Sequence, residues 1–211
     1  MAAFDLQEQE QIAELKAWWA LWGKLVIAAL VAVLLGYFGS MGWRAWQKSQ
    51  GEAAADAFTA VEQAYATKDV VKTRAAADAM SKSQAGHALT ARAMLLAAKV
   101  AFDAGKLDEA KSALQWVESN AKEDAVVDIA RLRLAAVLMD QKQYDEALKT
   151  VAAPKVEGYA SNFADLRGDA LALKGDAAGA RKAYQEALQK LEQADAPARN
   201  LLETKLAALG A

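Results

Sequence analysis

The feature that most constrains this chain is a run of 18 residues without a charge, residues 25–42, LVIAALVAVLLGYFGSMG. As an α-helix with a rise of about 1.5 Å per residue, the run nearly spans the roughly 30 Å hydrocarbon core of a bilayer. A helix that is apolar on every face needs apolar surroundings on every face. The run is therefore either a membrane span or the core helix of a globular domain.

Tryptophans at both ends of the run favour the membrane. Five of the six tryptophans lie within 29 residues: Trp18, Trp19, Trp22, Trp43 and Trp46. Indole rings prefer the headgroup layers of a bilayer, and the flanking Lys24 and Arg44 can extend outward to water. We therefore interpret residues 24–43 as a transmembrane helix and the five tryptophans as its interfacial anchors.

A cleaved signal peptide is the second alternative, since Ala53-Ala54-Ala55 offers a site for a signal peptidase. The chain opens with acidic residues rather than a basic region. Its apolar run is also longer than the apolar core of a signal peptide, which has roughly 7–15 residues. We therefore expect an uncleaved anchor.

The anchor divides the chain into four segments. Residues 1–23 form a short tail, which is either an amphipathic helix lying on the membrane or an extension of the spanning helix. After the span at 24–43, residues 44–86 read as a membrane-proximal helical hairpin that breaks at Lys68-Asp69 and ends in a turn, SKSQAG. Residues 87–211 carry an internal repeat.

Three segments of this last part align: AFDAGKLDEAKSAL, VLMDQKQYDEALKTV and ALALKGDAAGARKAY. Ala110 and Ala147 are 37 residues apart, and Ala147 and Ala180 are 33 apart. The tetratricopeptide repeat, a helical hairpin, has a period of about 34 residues. We therefore predict an all-α fold, with one N-terminal transmembrane helix followed by a tetratricopeptide-like solenoid of helical hairpins.

Small residues recur where paired helices of such a hairpin cross. The predicted repeat-packing positions are Ala98, Ala135 and Gly168 in the first helices, and Ala110, Ala147 and Ala180 in the second. Gly105 and Gly175 allow the turn inside two of the hairpins, whereas the middle hairpin has Lys142 at the same position. Pro154 is expected to end the second helix of the middle hairpin early. The middle repeat is expected to be irregular.

A C-terminal capping helix is predicted from about Pro197. Asp195 stands where it can cap the helix, and Pro197 falls in the first turn. The stripe of leucines that we expect to be buried consists of Leu201, Leu202, Leu206 and Leu209.

Composition narrows the possible functions. A net charge of −2 argues against nucleic acid as a partner, and the lack of cysteine excludes disulfides and thiolate chemistry. No phosphate-binding loop, nucleophile triad or metal motif is present in the sequence, so we predict no enzymatic activity, no metal and no cofactor. His87 reads as a surface or helix-start residue, and Arg167-Gly168-Asp169 reads as part of a packed helix. Arg131 and Arg133 lie within the most apolar helix, where we expect them either to pair with acidic residues of neighbouring helices or to line a groove.

Small residues also recur every fourth position in the span: Ala28, Ala32, Gly36 and Ser40. In lipid, such a ridge lets two helix backbones approach closely. Small residues are frequent in membrane helices, so the ridge is either a helix-packing face or a coincidence. Two positively charged residues flank the span on each side, so the distribution of positive charge does not decide its orientation.

Taken together, these patterns resemble the ancillary subunits of the bacterial Sec translocon, over nearly the whole length. The matching residues are Glu10-Gln11, LKAWW at 15–19, Gly23-Lys24, Gly42-Trp43, Trp46, Trp116-Val117, ARLRLA at 130–135, YDEAL at 144–148, LRGD at 166–169, Gly175-Asp176 and Ala183-Tyr184. Residues 151–158 match least well.

This resemblance implies a single-pass protein of the bacterial inner membrane, with the N-terminal tail in the cytoplasm and the repeats in the periplasm. Its implied partners are the channel subunits of the Sec translocon, a membrane-anchored periplasmic chaperone of the peptidyl-prolyl isomerase type, and membrane lipid. The implied role is a binding module that passes emerging secreted chains to periplasmic chaperones. A repeat scaffold for another envelope secretion or assembly machine is the alternative.

Overall fold

The structure is a computed structural model that describes residues 2–191 and 195–210. Every regular element within these residues is helical, which confirms the all-α prediction. The α-helices are α1 Ala2–Ala66, α2 Val70–Ser83, α3 Ala88–Asp103, α4 Leu107–Asn120, α5 Asp124–Asp140, α6 Tyr144–Thr150, α7 Ala160–Lys174, α8 Ala177–Lys190 and α9 Ala196–Ala208, with a 3₁₀ turn at Glu157–Tyr159.

The chain divides into two compact units, which meet within the sequence between Glu52 and Ala53. In the first unit the backbone is a single helix, because α1 passes through the tail and the apolar run without a break. This continuity agrees with the tail being an extension of the spanning helix rather than a separate amphipathic one. The helix is long and apolar enough to cross a membrane, and its apolar stretch buries nothing within the protein.

The five predicted anchor tryptophans are all exposed, with between 48% and 59% of each residue open. Their rings pair locally at each end of the apolar run, Trp18 with Trp19 and Trp43 with Trp46, the latter pair with centroids 5.0 Å apart. Large apolar residues exposed all around one helix are stable only in apolar surroundings. This geometry is the one expected of a membrane helix.

The second unit, Ala53–Ala211, is a series of helical hairpins. After the last turns of α1, each helix packs on the next, and α5 also contacts α3 and α7. The largest core cluster extends from Val61 in α1 to Ala170 in α7, and a second cluster joins α7, α8 and α9. The most apolar predicted helix, α5, therefore has neighbours on several sides, as α7 also does.

Polar residues set where the helices begin. Asp69 caps α2, which agrees with the predicted break at Lys68-Asp69, and His87 accepts a hydrogen bond from the amide of Leu89 at the start of α3. Asp176 and Asp195 accept hydrogen bonds from amides in the first turns of α8 and α9. Each of these side chains satisfies an amide that lacks a partner inside its helix. The helix-start role predicted for His87 is confirmed.

The turns inside the three aligned hairpins share one backbone conformation. Gly105 and Gly175 have φ values of +71° and +92°, and Lys142 has a φ of +61° in the middle repeat. A left-handed conformation is unfavourable by about 1–2 kcal/mol for a residue with a Cβ. The middle repeat therefore keeps the turn geometry and tolerates this strain, and its second helix, α6, has only 7 residues.

The capping helix forms as predicted, but one of its leucines was assigned wrongly. Leu202 is 3% exposed and Leu206 and Leu209 pack against the second core cluster, whereas Leu201 is 53% exposed. A single helix packed on one side buries only about half of its circumference. Leu201 lies next to Leu202 in sequence and so falls outside that face.

Candidate functional site

The six predicted repeat-packing residues all lie inside the protein. Ala110, Ala135, Ala147 and Ala180 have no exposed surface, Ala98 is 2% exposed, and Gly168 is buried. A Cβ placed on Gly168 would overlap the ring of Tyr184 from α8. The arginine-glycine-aspartate tripeptide is thus part of α7, with its glycine against a neighbouring helix.

The proposed helix-packing residues of the span lie on a different part of the molecule, along α1. A Cβ on Gly36 would meet nothing within 4 Å, and the hydroxyl of Ser40 donates a hydrogen bond to the carbonyl of Tyr37 at 2.8 Å. The ridge is therefore open, and its one polar side chain is satisfied within the helix. Larger residues such as Leu30 and Val33, 59% and 70% exposed, cover other parts of the same helix.

A cleft of about 310 Å³ opens between α3 and α5. Apolar side chains form its floor, including Ala98, Leu114 and Val137, and Phe102 stands at its mouth with 39% of its surface exposed. The charged residues that line it are Lys99, Asp103 and Arg133. The arrangement offers an apolar hollow with a charged rim.

The charges of the rim are not balanced. Lys99 binds Asp103 at 2.9 Å, whereas the side chain of Arg133 makes no hydrogen bond or ion pair with any residue that the structure describes. The hydrogen bond that Lys99 donates to Asp103 raises the pKa of Lys99, and the nearby charge of Arg133 opposes that rise. Two cations therefore share the rim with one carboxylate.

The two arginines of α5 have different surroundings. Arg131 donates to the carbonyl of Ala153 at 2.8 Å, lies 3.5 Å from Asp128, and stacks over the ring of Phe163. Arg131 Nε also lies 3.7 Å from the carboxylate of Glu118 on α4, which confirms the predicted pairing with an acidic residue of a neighbouring helix. Arg133 instead lines the cleft, which is the other of the two predicted alternatives.

Asp128 was not singled out in the sequence, although it organises the irregular middle repeat. Its carboxylate is fully buried and accepts hydrogen bonds from the backbone amides of Lys155 and Val156, both at 2.8 Å. These bonds hold the loop after Pro154 against α5. An acidic residue within the most apolar helix, three positions before an arginine, was the available signal.

A second polar cluster attaches the capping helix and was also missed. Lys205 of α9 binds Asp165 at 2.6 Å and Asp169 at 2.8 Å, and the hydroxyl of Tyr184 donates to Asp169. Burial raises the pKa of Asp165 and of Tyr184, while for Lys205 the two carboxylates outweigh burial and raise the pKa. The cluster joins the consecutive helices α7, α8 and α9 through side chains that lie 15 to 40 residues apart, so the residue spacing within one helix could not reveal it.

The described residues thus define a class: a helical-hairpin repeat protein with a candidate membrane anchor at its N-terminus. The family model of a tetratricopeptide repeat-like domain matches residues 16–211. An ancillary SecYEG translocon subunit from Neisseria gonorrhoeae is 34% identical over 208 residues, covering 98% of this chain and 99% of the relative. Proteins of the same name from Escherichia coli, 34% identical over 84% of this chain and 85% of the relative, and Haemophilus influenzae, 30% identical over 90% and 93%, also match. The chain belongs to the family of ancillary SecYEG translocon subunits, which confirms the resemblance.

Proposed function

We propose that this protein is a membrane-tethered binding module that acts at the Sec translocon and carries out no reaction itself. The observation that carries this proposal is the joining of an exposed apolar helix to a repeat array in one chain of this family. The helix would hold the module next to the channel. The hairpin array would offer surfaces to emerging chains and to periplasmic chaperones.

The orientation that we propose places the tail before Lys24 in the cytoplasm and the repeats in the periplasm. It rests on the family, since the flanking charges are evenly divided. In this orientation the repeats stand where secreted chains leave the channel. We propose the channel subunits and a membrane-anchored chaperone of the peptidyl-prolyl isomerase type as partners in the inner membrane.

The anchor would contribute to this association directly. Ala28, Ala32, Gly36 and Ser40 leave one side of the helix without bulky side chains, and close packing is the main attraction between helices in lipid. We propose that this ridge packs sideways on a membrane helix of the channel or of the chaperone. The tryptophans would hold the depth of the helix while it does so.

Affinity purification of the full chain from membranes in mild detergent tests the function. Recovery of translocon channel subunits together with a periplasmic isomerase is the expected result. A matched control carries an unrelated apolar span in place of residues 25–42 and should lose the channel subunits. Recovery of a different envelope assembly without the channel would instead favour the scaffold function and overturn the proposal.

A further inference from the structure

The uncharged run at residues 25–42 contains two side chains with hydroxyl groups, those of Tyr37 and Ser40. They are three residues apart, and Arg44, the first charged residue after the run, follows Ser40 by four. Residues at intervals of three and four lie on one side of an α-helix, and α1 is continuous through this part of the chain. We call the side with Tyr37, Ser40 and Arg44 the polar edge of the anchor.

Two of the three polar side chains on this edge lack a partner within the protein. Ser40 donates a hydrogen bond to the carbonyl of Tyr37 at 2.8 Å. The hydroxyl of Tyr37 and the guanidinium of Arg44 form no hydrogen bond or ion pair with any residue that the structure describes. Lys48, one turn after Arg44, differs because it pairs with Glu52 at 3.7 Å.

With α1 in a membrane, the hydroxyl of Tyr37 would lie below the headgroup layer. Tyr37 precedes Trp43, an anchor tryptophan at that end of the span, by six residues, which is about 9 Å along the helix. The Cα–Cβ bonds of a helix tilt towards its N-terminus, so the side chain of Tyr37 leads away from Trp43 and further into the apolar layer. A polar group without a hydrogen bond is unfavourable in hydrocarbon, and lipid tails offer no acceptor.

From these features we infer that the polar edge docks on a partner membrane helix that carries two acceptors on one side. One is a carboxylate at the membrane interface, which binds Arg44, and the other is an amide or hydroxyl oxygen deeper in the membrane, which accepts from Tyr37. Tyr37 and Arg44 are seven residues apart, about 10 Å along the helix, so the two acceptors have the same spacing. A lipid phosphate reaches Arg44 in the headgroup layer but not Tyr37, so a helix is the occupant that satisfies both groups.

This inference rests on the proposed docking of the anchor and adds the chemistry that selects the partner. Small residues permit close approach to many helices, whereas the polar edge distinguishes partners by their acceptors. An interhelical hydrogen bond in lipid changes an association constant by only about threefold on average. The polar edge therefore acts mainly on the choice of partner.

Energy transfer between the full chain and synthetic membrane helices in phosphatidylcholine vesicles tests the inference. Because the chain has no cysteine, a Ser49→Cys substitution carries the donor dye alone, and each peptide carries the acceptor dye at its C-terminus. The probes are KKWLLALLALLALLALQLALLALEWKK, which has both acceptors, the same peptide with Leu in place of Gln, and the same peptide with Lys in place of Glu.

We expect the peptide with both acceptors to associate most tightly. Tyr37→Phe should weaken its association about threefold and leave the peptide without Gln unaffected, because the two changes remove the same hydrogen bond. Arg44→Glu should weaken the association of the first peptide about threefold to fivefold and strengthen that of the lysine peptide, since the sign of the local charge is reversed.

The matched control exchanges two neighbouring residues, Tyr37→Phe together with Phe38→Tyr. It keeps the composition of the span and moves the hydroxyl about 100° around the helix, so it should bind the first peptide as weakly as Tyr37→Phe does. If either variant binds this peptide as the original chain does, the inference is wrong. An Arg44 effect that needs added phosphatidylglycerol and ignores the glutamate of the peptide would assign the edge to lipid headgroups and also overturn it.

Co-purification of the original chain with the channel subunits is measured in parallel. A chain that selects the first peptide but recovers no channel contradicts the proposed function and leaves the polar edge supported. A chain that recovers the channel but does not distinguish the peptides contradicts the polar edge alone.

Discussion

At the scale of single residues, small side chains decide how closely the helices of the repeat array approach. The alanines at the predicted crossings are at most 2% exposed, and Gly168 leaves room for the ring of Tyr184. Protein interiors are packed nearly as densely as organic crystals, so there is little space for extra methylenes at such positions. The conformation of each helix hairpin therefore depends on residues that contribute little apolar area of their own.

Replacing Ala180 with Phe should lower the free energy of unfolding by about 1–3 kcal/mol, because the ring would force α7 and α8 apart. Thermal unfolding followed by circular dichroism of the detergent-solubilised chain measures the change. Lys182→Phe places the same ring on the exposed face of α8 and serves as the control. An Ala180→Phe variant that melts with the control would show that position 180 does not lie at a helix crossing.

At the scale of elements, two polar clusters connect segments whose contact the hydrophobic periodicity of each single helix does not predict. Asp128 and Arg131 hold the loop after α6 against α5, and Lys205 holds α9 against α7. Buried charges of this kind are unfavourable unless each has a partner, so the geometry of each cluster is narrowly defined. These clusters compensate for the short α6 and for the single-sided packing of α9.

Lys205→Met should destabilise the repeat array by about 2 kcal/mol near neutral pH, which is below the value for a fully enclosed pair because about a quarter of each partner is exposed. In the variant, the carboxylate of Asp165 loses its cation, so its pKa, which burial already raises, rises further above the unfolded value. The folded variant then binds more protons than the unfolded chain, and the deficit should shrink as the pH falls towards about 5.

Thermal melts of both proteins across this pH range measure the effect. In the original chain the raised pKa of Lys205 gives stability that is complete below its ordinary value of 10.5 and is lost as the pH rises through the folded value. A deficit that stays the same at acidic and neutral pH would contradict the assigned contact.

The anchor helix makes a separate prediction at the element scale. Replacing both Ala32 and Gly36 with Leu keeps the span apolar, so the variant should still insert, but the bulky side chains should prevent close approach of a partner helix. Recovery of channel or chaperone subunits on purification should fall at least about tenfold, if the lost contact is worth about 1.4 kcal/mol or more.

The matched control replaces Leu30 and Leu34 with Ala, which changes the apolar residues outside the ridge. This control should retain its partners. If the Ala32 and Gly36 double variant also retains them, the association runs through the repeats and the spacing of small residues is a coincidence.

At the scale of the whole molecule, one chain combines a helix whose surface suits lipid with a repeat array whose core suits water-soluble folding. The hydrophobic effect stabilises the array, because its apolar side chains are removed from water. It cannot drive the anchor against other helices, because lipid tails are as apolar as leucine. The folding of the array and the proposed docking of the anchor would therefore depend on different physical interactions.

The proposed orientation is tested by fusing alkaline phosphatase after Ala211. The enzyme needs disulfides that form in the periplasm, so the fusion should be active in cells. Green fluorescent protein at the same position reports the opposite compartment and should stay dark. An inactive phosphatase fusion with a fluorescent counterpart, both stably produced, would reverse the orientation.

Much of this architecture was determined by the sequence alone, because it depends on local patterns. An uncharged run between tryptophans predicts an apolar helix, and small residues at intervals near 34 predict hairpin repeats. Three helix starts are recognisable in the sequence from residues whose side chains accept hydrogen bonds from backbone amides in the first turn of the helix: Asp69, His87 and Asp195. The left-handed turn of the middle repeat, at Lys142, is recognisable only by alignment with Gly105 and Gly175.

Only the tertiary structure decided which side of each helix is covered and which distant charges meet. Leu201 and Leu202 look equivalent in the sequence, yet only Leu202 faces the core. Arg131 and Arg133 lie two positions apart on α5, so they point to different sides of the helix, one towards a buried loop and the other towards the cleft. Burial and ion pairing depend on neighbours 20 to 40 residues away in the chain. Helical periodicity describes which residues share a face of one helix, so it cannot identify those neighbours.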